Sequence, residues 1–317
     1  MSSSLPQKQL PFSVAISTES YRTLIKNTLR DEKRANRFVT AITSAVATNP
    51  ALAECSPSTI LAGALVGESL GLLPSPALGQ FYLIPYKTKA KYDKQGSLIS
   101  PEGFSAQFQI GYKGLIQLAL RTGAYRRLNA IAVKEGEFGG YDPFTEDLTL
   151  HLFDDPAKRE SLPTVGYAAM FEYLNGFRKV MYWTREQMMI HADRYSPAFT
   201  KDAIDDPNPN KSRVSYEDYL KGNYDKKKDG WKYSSFWYTD FDAMAKKTML
   251  RQIISHWGVM SSELADAFER DDSVLDVSDG AIVSEQPKIA EQPAPPKISQ
   301  PEQPASPEPE TISFDEI

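Results

Sequence analysis

The pattern of apolar and polar residues changes its period within one stretch, residues 104–127. Apolar and polar residues alternate over 104–110, which predicts a strand with one buried face. Gly111 ends the alternation, and from Tyr112 onward the apolar residues recur with the period of an α-helix. Gly123 suits the left-handed position that follows a helix C-terminus. The stretch therefore predicts a strand, a break and an amphipathic helix in succession.

The polar side of this predicted helix carries a straight row of side chains. Lys113, Gln117 and Arg121 follow at intervals of four, with Tyr112 at the head of the row. Cations neutralise phosphates, amides bond to the backbone or to base edges, and a ring stacks a base, so the row favours binding of a single nucleic acid strand. An ordinary amphipathic helix with a solvated basic face explains it equally well.

Helical periodicity predicts further helices on both sides of this stretch. Three precede it, at residues 18–29, 32–48 and 57–70, and the third begins at Ser56-Pro57 and is rich in small residues. Its one carboxylate, Glu68, is better explained as a partner of a polar group than as a catalytic acid. Near the end of the chain, Thr239 or Asp240 caps a helix over 241–257, and a short helix follows at 263–268.

Strand patterns occur at residues 80–86, 128–133 and 148–153, and the clearest lies at 165–183. There, two strand-like runs flank Asn175-Gly176, the preferred pair of a two-residue type I′ hairpin. Thr184 and Gln187 then form a capping box at the start of a helix.

Four segments show neither the helical nor the strand period. We predict a flexible lead at 1–16 and loops at 87–103, 154–163 and 196–235. The first loop, with four lysines, is either a mobile basic arm over a nucleic acid or a soluble hairpin loop. The last is a long insertion in which tyrosines, Trp231 and lysines interleave. That composition fits strand binding, and it fits packing under a lid equally well.

Composition excludes several classes of protein. With 317 residues, 41% hydrophobic and 24% charged, the chain is globular and long enough for a sizeable core. Cys55 is the one cysteine, so no disulfide framework or thiolate zinc site is expected, and the three histidines show no HExxH spacing. No apolar run is long enough to span a membrane, and the N-terminus lacks the pattern of a signal peptide. We expect a cytoplasmic protein without metal or cofactor.

The net charge of −5 hides a division along the chain. Residues 271–317 hold 11 acidic and 2 basic side chains, a net charge of −9, so residues 1–270 carry +4. Within the latter, residues 80–134 hold 9 basic and 2 acidic side chains, a net charge of +7. A basic middle with a separate acidic tail indicates a body that binds a polyanion.

The acidic tail, 271–317, is rich in Pro, Glu, Ser and Gln and is predicted to be disordered. It ends in TISFDEI, which loosely resembles the partner-docking tip of bacterial single-strand-binding proteins. Three interpretations stay open: a solubilising appendage, a competitor of DNA for the basic groove, or a docking segment for a host single-strand-binding or replication protein.

Four stretches, in this order, resemble the RecT family of phage and prophage single-strand annealing recombinases. They are GESLGLLPSPALGQFYLIPY at 67–86, QFQIGYKGLIQLALRTG at 107–123, VGYAAMFEYLNGFRKVMYWT at 165–184 and DAMAKKTMLR at 242–251. The resemblance implies an α+β fold, with a curved antiparallel sheet that includes a β-hairpin and is backed by helices. Residues 17–270 would form one DNA-binding, oligomerising domain.

The resemblance also implies an activity: ATP-independent and metal-independent coating of single-stranded DNA and pairing with its complement. It further implies assembly into rings or helical filaments, a phage 5′-to-3′ exonuclease as partner, and a bacterial host cell. Taken together with the basic residues noted above, it gives these candidate DNA-binding residues: Lys87, Gln107, Gln109, Tyr112, Lys113, Gln117, Arg121, Arg126, Arg127, Arg178, Lys179, Trp183, Lys246, Lys247 and Arg251.

Two rival functions are considered. A metal-dependent nuclease would need carboxylates that converge on metal ions, and the candidates are Glu135, Glu137, Asp142 and Asp147. They stand beside glycines and a proline in a predicted turn, where solvation explains them more simply. The second rival is a single-strand-binding protein that blocks pairing.

Overall fold

A computed structural model describes residues 10–75, 78–88, 90–92, 98–100, 102–271, 273–278 and 281–285. The helices are α1 Phe12–Ala15, α2 Glu19–Leu29, α3 Glu32–Thr48, α4 Pro50–Ala53, α5 Pro57–Ser69, α6 Tyr112–Arg121, α7 Pro156–Ser161, α8 Arg185–Tyr195, α9 Tyr216–Lys221, α10 Lys226–Asp229, α11 Phe236–Thr239, α12 Phe241–Trp257 and α13 Ser262–Arg270. The strands are β1 Phe81–Thr88, β2 Lys91–Tyr92, β3 Leu98–Ser100, β4 Gly103–Ile110, β5 Tyr125–Lys134, β6 Phe138–Asp142, β7 Asp147–Leu150, β8 Thr164–Tyr173, β9 Arg178–Thr184, β10 Ser273–Ser278 and β11 Ala281–Glu285.

The fold combines helices with antiparallel sheets, which confirms the predicted α+β class. A four-stranded sheet has the order β1-β4-β10-β11, and a three-stranded sheet has the order β5-β8-β9. The pairs β2-β3 and β6-β7 form two further small sheets. In the described residues, the strands are thus divided among several sheets.

The most deeply buried helix, α5, packs against the four-stranded sheet. Nearly all of its apolar side chains are inaccessible to solvent. Its glycines permit the contact: a Cβ added at Gly63 would lie 2.7 Å from the side chain of Leu83, and one at Gly67 would lie 2.4 Å from the ring of Phe81. The small residues of this helix therefore set how closely it approaches the strand. Glu68 accepts a hydrogen bond from Arg34 of α3 at 2.5 Å, a structural role as predicted.

The hairpin of β8 and β9 forms as predicted, but its turn differs. Asn175 lacks the positive φ that a type I′ turn requires, whereas Gly176 has φ +88°. The amide of Gly176 donates to the carbonyl of Tyr173, and the amide of Tyr173 donates to that of Phe177. This is a three-residue turn in which glycine takes the left-handed position. After the hairpin, Thr184 and Gln187 form the predicted capping box of α8.

Several segments predicted to be irregular contain regular structure. Helix α1 lies within the predicted lead, and α7 lies within the predicted loop at 154–163, where Asp155 caps it. In the predicted insertion loop, α9, α10 and a 3-10 turn at Gly230–Tyr233 enclose a cluster of aromatic rings. Tyr216 and Tyr233 are buried there, so these tyrosines pack, while Trp231 stays exposed.

The acidic segment also differs from its prediction. Strand β10 pairs with β4, with Val274 opposite Gln107, and β11 pairs with β10. The open edge of β4 offers hydrogen-bond partners that a composition-based prediction of disorder cannot include. The end of the tail, with its TISFDEI sequence, lies outside the described residues, as do Lys89 and Lys94 of the predicted basic arm.

Among the described residues, no helix has both the length and the apolar character needed to cross a membrane.

Candidate nucleic-acid interface

The start of α6 is built by two glycines. The amide of Gly111, the N-cap residue, donates to the carbonyl oxygen of Gln80 at 2.8 Å. A Cβ at Gly111 would lie 2.1 Å from the carbonyl oxygen of Gly79, and one at Gly114 would lie 2.1 Å from that of Gln80. The GYKG sequence thus lets the backbone that precedes β1 lie directly against the helix. None of the predictions above assigned this role to the two glycines, although their repeated spacing was its signal.

Tyr112 and Lys246 form a cation–π pair at this site. Tyr112 is half-buried, and the ammonium of Lys246 lies over its ring at 4.7 Å from the centroid. Burial raises the pKa of the neighbouring Tyr82, and the charges of Asp240 and of Tyr112 raise it further. The ring of Phe236 lies 5.3 Å from that of Tyr82. Aromatic rings and a cation therefore converge at the N-terminal end of α6.

The polar row of α6 divides into two parts. Lys113 and Gln117 are exposed and line an open groove of about 350 Å³ together with Leu78, Gln80 and Ile116. No hydrogen bond or ion pair engages the Lys113 ammonium within the described residues. This part of the row is available to a ligand.

Arg121, at the other end of the row, contacts the protein itself. Its guanidinium donates to the carbonyl oxygens of Leu70 at 2.5 Å and Gly71 at 2.8 Å, just past the end of α5. Gly71 has φ +62°, the left-handed conformation of a residue that ends a helix. Arg121 therefore satisfies carbonyl groups that the helix leaves without partners.

Two candidates on α12 lie inside the fold. Lys247 is buried, with a side chain 7% exposed, and its ammonium lies 3.0 Å from the fully buried carboxylate of Asp271. Arg251 approaches the same carboxylate at 2.6 Å, and the amide of Ile110 donates to it at 2.9 Å. This Lys247–Arg251–Asp271 triad joins α12 to the end of β4 and to the segment that follows α13. The structure thus gives Lys247 and Arg251 a role in tertiary structure.

The candidates around the β8–β9 hairpin have acidic partners. Arg126 and Arg127 approach Glu172 at 3.2 and 3.5 Å, and Arg178 approaches Asp147 at 3.8 Å. Lys179 forms an ion pair with Glu146, and its ammonium lies 3.9 Å from the centroid of the Trp257 ring. The three arginines are largely exposed, whereas Lys179 is mostly covered. Trp183 packs half-buried against His191.

The remaining candidates lie on the four-stranded sheet. Lys87 is exposed and forms an ion pair with Glu102 at 2.6 Å. Gln107 and Gln109 are half-buried on β4, opposite Ile84 and Tyr82 of β1, and both take part in polar interactions of the fold. The exposed candidates are therefore spread over more than one face, and only those near Tyr112 share the groove at α6.

Two of the carboxylates proposed for the rival nuclease, Glu137 and Asp142, have structural roles. Glu137 is fully buried and accepts hydrogen bonds from Arg159 at 2.6 Å and from the amides of Lys134 and Phe153. Burial opposes the charged form, but these hydrogen bonds outweigh it and lower the pKa of Glu137. Asp142 accepts from the amide of Phe144 within the β6–β7 turn. Within the described residues, no group of three His, Cys, Asp or Glu side chains could hold a metal ion.

Comparison with known proteins gives one family and two relatives. The model of the RecT family matches residues 36–288. The chain is similar to the uncharacterized protein YqaK of Bacillus subtilis (strain 168), with 34% identity over 256 residues, which cover 80% of this chain and 71% of YqaK. It is also similar to protein RecT of Escherichia coli (strain K12), with 24% identity over 253 residues, which cover 79% of this chain and 77% of that protein.

Proposed function

The chain belongs to the RecT family, whose members act in recombination by single-strand annealing, and from that premise we propose that it is an ATP-independent protein that coats single-stranded DNA and pairs it with its complement. The observation that carries the proposal is the groove beside α6, where exposed Lys113 and Gln117 adjoin the Tyr112–Lys246 cluster. Annealing breaks no covalent bond, so it requires no nucleophile, general base or metal ion.

The chemistry of the groove suits a strand whose bases must stay available. A cation contributes affinity for phosphate without regard to base sequence, and an amide bonds to the backbone or to a base edge. One subunit of this size covers only a few nucleotides, so many weak sites must add along the strand. We therefore propose a homo-oligomer, a ring or a helical filament, that acts beside a 5′-to-3′ exonuclease in the cytoplasm of a bacterial host.

The residues proposed to contact DNA at this groove are Tyr112, Lys113, Gln117 and Lys246, with Lys87, Arg126, Arg127 and Arg178 as exposed cations elsewhere on the surface. Of the other candidates, Arg121, Lys247 and Arg251 make the structural contacts described above, and the same holds for Lys179 with Glu146. Substituting any of these residues would disturb the fold, so a loss of DNA binding in such a variant would not identify a DNA contact.

The function is tested by an annealing time course with complementary labelled oligonucleotides, without ATP. The wild-type protein is expected to accelerate pairing above the spontaneous rate and to leave the strands intact when Mg²⁺ is added. Slower pairing than the spontaneous rate would identify a protein that blocks annealing, and shortened strands would identify a nuclease.

The groove is tested with Lys113→Ala, for which Lys26→Ala on the exposed surface of α2 is the matched control. Loss of one phosphate contact should reduce the slope of log affinity against log salt by about 0.7 on single strands, equally for all sequences. An unchanged slope would assign Lys113 to a solvated face.

The aromatic contact is tested with Tyr112. We expect Tyr112→Ala to impair annealing more than Tyr112→Phe, because stacking on a base and the contact with Lys246 both need the ring and not the hydroxyl. Equal impairment in the two variants would contradict stacking and assign the role to the hydroxyl.

A further inference from the structure

The insertion between α8 and α12 presents three consecutive lysines to solvent. Lys226, Lys227 and Lys228 form α10, and all three are exposed. Within the described part of the chain, none of their ammonium groups has a hydrogen-bond or ion-pair partner. The nearby acids are already engaged: Asp225 caps the amides of Lys227 and Lys228. Asp229 forms an ion pair with Lys232 at 2.7 Å. The lysines therefore form an exposed positive patch.

An exposed indole adjoins this patch. Trp231 is 60% exposed, whereas Trp237, six residues later, is 6% exposed and packs in the aromatic cluster of the insertion. The sequence alone could not distinguish these aromatic residues, since all of them interleave with lysines. The structure separates them: the tyrosines at 216 and 233 pack inward, and Trp231 stays at the surface. A large aromatic ring in water beside cations is typical of a base-stacking position.

The segment that carries these side chains is held in place by hydrogen bonds of buried residues. Lys232 is buried, and its ammonium donates to the carbonyl oxygens of Pro209 at 2.7 Å and Ser212 at 3.1 Å. The hydroxyl of the buried Tyr233 accepts a hydrogen bond from the amide of Val214 at 2.9 Å. Because the residues directly after Trp231 are fixed, ordering this segment on a ligand costs little entropy.

The residue that follows the insertion lies near the groove at α6. Phe236 of α11, five residues after Trp231, contacts Tyr82. A Cβ at Gly79 would lie 3.2 Å from the hydroxyl of Tyr82 and 3.4 Å from Cδ of Lys113, so Tyr82 and Lys113 flank Gly79 together. Lys113, Tyr82 and Phe236 thus lie near one another where the chain leaves the insertion.

We propose that Lys226, Lys227, Lys228 and Trp231 form a second contact site for a single nucleic acid strand, in which the lysines neutralise phosphates and Trp231 stacks an unpaired base. The proposal rests on the function proposed above, since it takes the same class of ligand. It assigns to the insertion a direct part in holding the strand. Stacking requires an unpaired base, so Trp231 distinguishes a single strand from a duplex, whereas the lysines do not.

The test uses the full chain and fluorescence anisotropy with a labelled oligo-dT over a range of salt concentrations. Replacing all three lysines by alanine should reduce the salt slope by about 2, since each phosphate contact contributes about 0.7. The matched control is Lys26→Ala/Lys33→Ala/Arg37→Ala, which removes the same charge from exposed positions of α2 and α3. It should leave the slope unchanged.

The stacking contact is tested separately. Trp231→Ala should lower the affinity for oligo-dT by about tenfold, and Trp231→Phe should retain most of it. On an abasic oligonucleotide of the same length, Trp231→Ala and the wild type should bind equally, because no base is present to stack. Equal losses on the two oligonucleotides would contradict stacking.

Each outcome decides the proposal. If the wild-type protein binds oligo-dT and neither the lysine variant nor Trp231→Ala differs from it, the second site is refuted while the proposed function stands. If the lysine variant and its control lose the same slope, the effect belongs to net charge, and the site is refuted. If the wild-type protein binds no single strand, both proposals fail together.

Discussion

The Lys247–Arg251–Asp271 triad should carry a large share of the stability of the fold. The decisive change is Asp271→Asn, which preserves the shape of the side chain and removes its charge. An amide oxygen can still accept the hydrogen bond from the amide of Ile110, so that contact is kept while the charge is removed.

The magnitude follows from burial. The Asp271 side chain is fully inaccessible, and that of Lys247 is 7% exposed, so the Lys247 ammonium would stay buried and lose the charge of this carboxylate. Arg251, at 38% exposure, can turn to solvent. Removing one partner of a buried ion pair costs about 3–5 kcal/mol. Since one of the two cations can be hydrated, we expect Asp271→Asn to lower the free energy of unfolding by about 3 kcal/mol.

Urea unfolding followed by circular dichroism measures this change. The control is Asp147→Asn, at a carboxylate 76% exposed that pairs with Arg178 at 3.8 Å, where the loss should be below about 1 kcal/mol. The double variant Lys247→Met/Asp271→Asn removes the buried ammonium as well. It should recover part of the stability lost in Asp271→Asn. The wild type, Asp271→Asn, Lys247→Met and the double variant together form a double-mutant cycle.

The reasoning would be refuted if Asp271→Asn unfolded at the same urea concentration as the wild type and Asp147→Asn. A double variant no more stable than the sum of the two single losses predicts would also refute it, since the lost attraction between Asp271 and the buried Lys247 ammonium would then not be the source of the cost.

Three further predictions concern other parts of the fold. Arg121→Ala should lower the free energy of unfolding by about 1–2 kcal/mol in urea titrations, since its guanidinium bonds two carbonyl groups at the end of α5, whereas Lys113→Ala should leave stability unchanged. Gly114→Ala should lower the melting temperature strongly, because its Cβ would meet the carbonyl oxygen of Gln80 at 2.1 Å, whereas Gly103→Ala, with open space around it, should be tolerated; equal melting temperatures would contradict this. Glu137 has a folded-state pKa below its usual value of 4.5, so its contribution to stability is complete above about pH 4.5 and is lost as the pH falls through the folded pKa. Unfolding free energies between pH 7 and the acid range should therefore depend less on pH in Glu137→Gln than in the wild type.

Much of the local structure was predictable because its causes are local. Helix α3 spans the predicted residues, and α12 begins after Asp240, whose carboxylate accepts from the amide of Ala243. The capping box of Thr184 forms as predicted. Periodicity and capping depend on residues three or four positions apart, so the sequence displays them directly. The exceptions include the short helices α1, α7, α9 and α10, which have too few residues to show a helical period.

The partners of the charged side chains were not predictable in the same way. Lys113, Gln117 and Arg121 form one row on α6, as their spacing requires, yet Lys113 lines a groove while Arg121 holds the end of α5, some fifty residues earlier in the chain. Adjacent lysines of α12 also differ: Lys246 contacts the ring of Tyr112, and Lys247 is buried against Asp271. Helical spacing determines which residues share a face, but it does not determine what covers that face.

The sequence by itself determined the class of fold, the extent of the long helices, the two strands of the hairpin and the family. Only the tertiary structure decided which cations are exposed, which aromatic residues of the insertion pack inward, and that the first part of the acidic segment adds strands to a sheet. The physical reason is the separation along the chain over which each interaction acts. Propensity, capping and period act within a few residues, whereas desolvation, ion pairing and strand addition depend on segments that approach one another from distant parts of the chain.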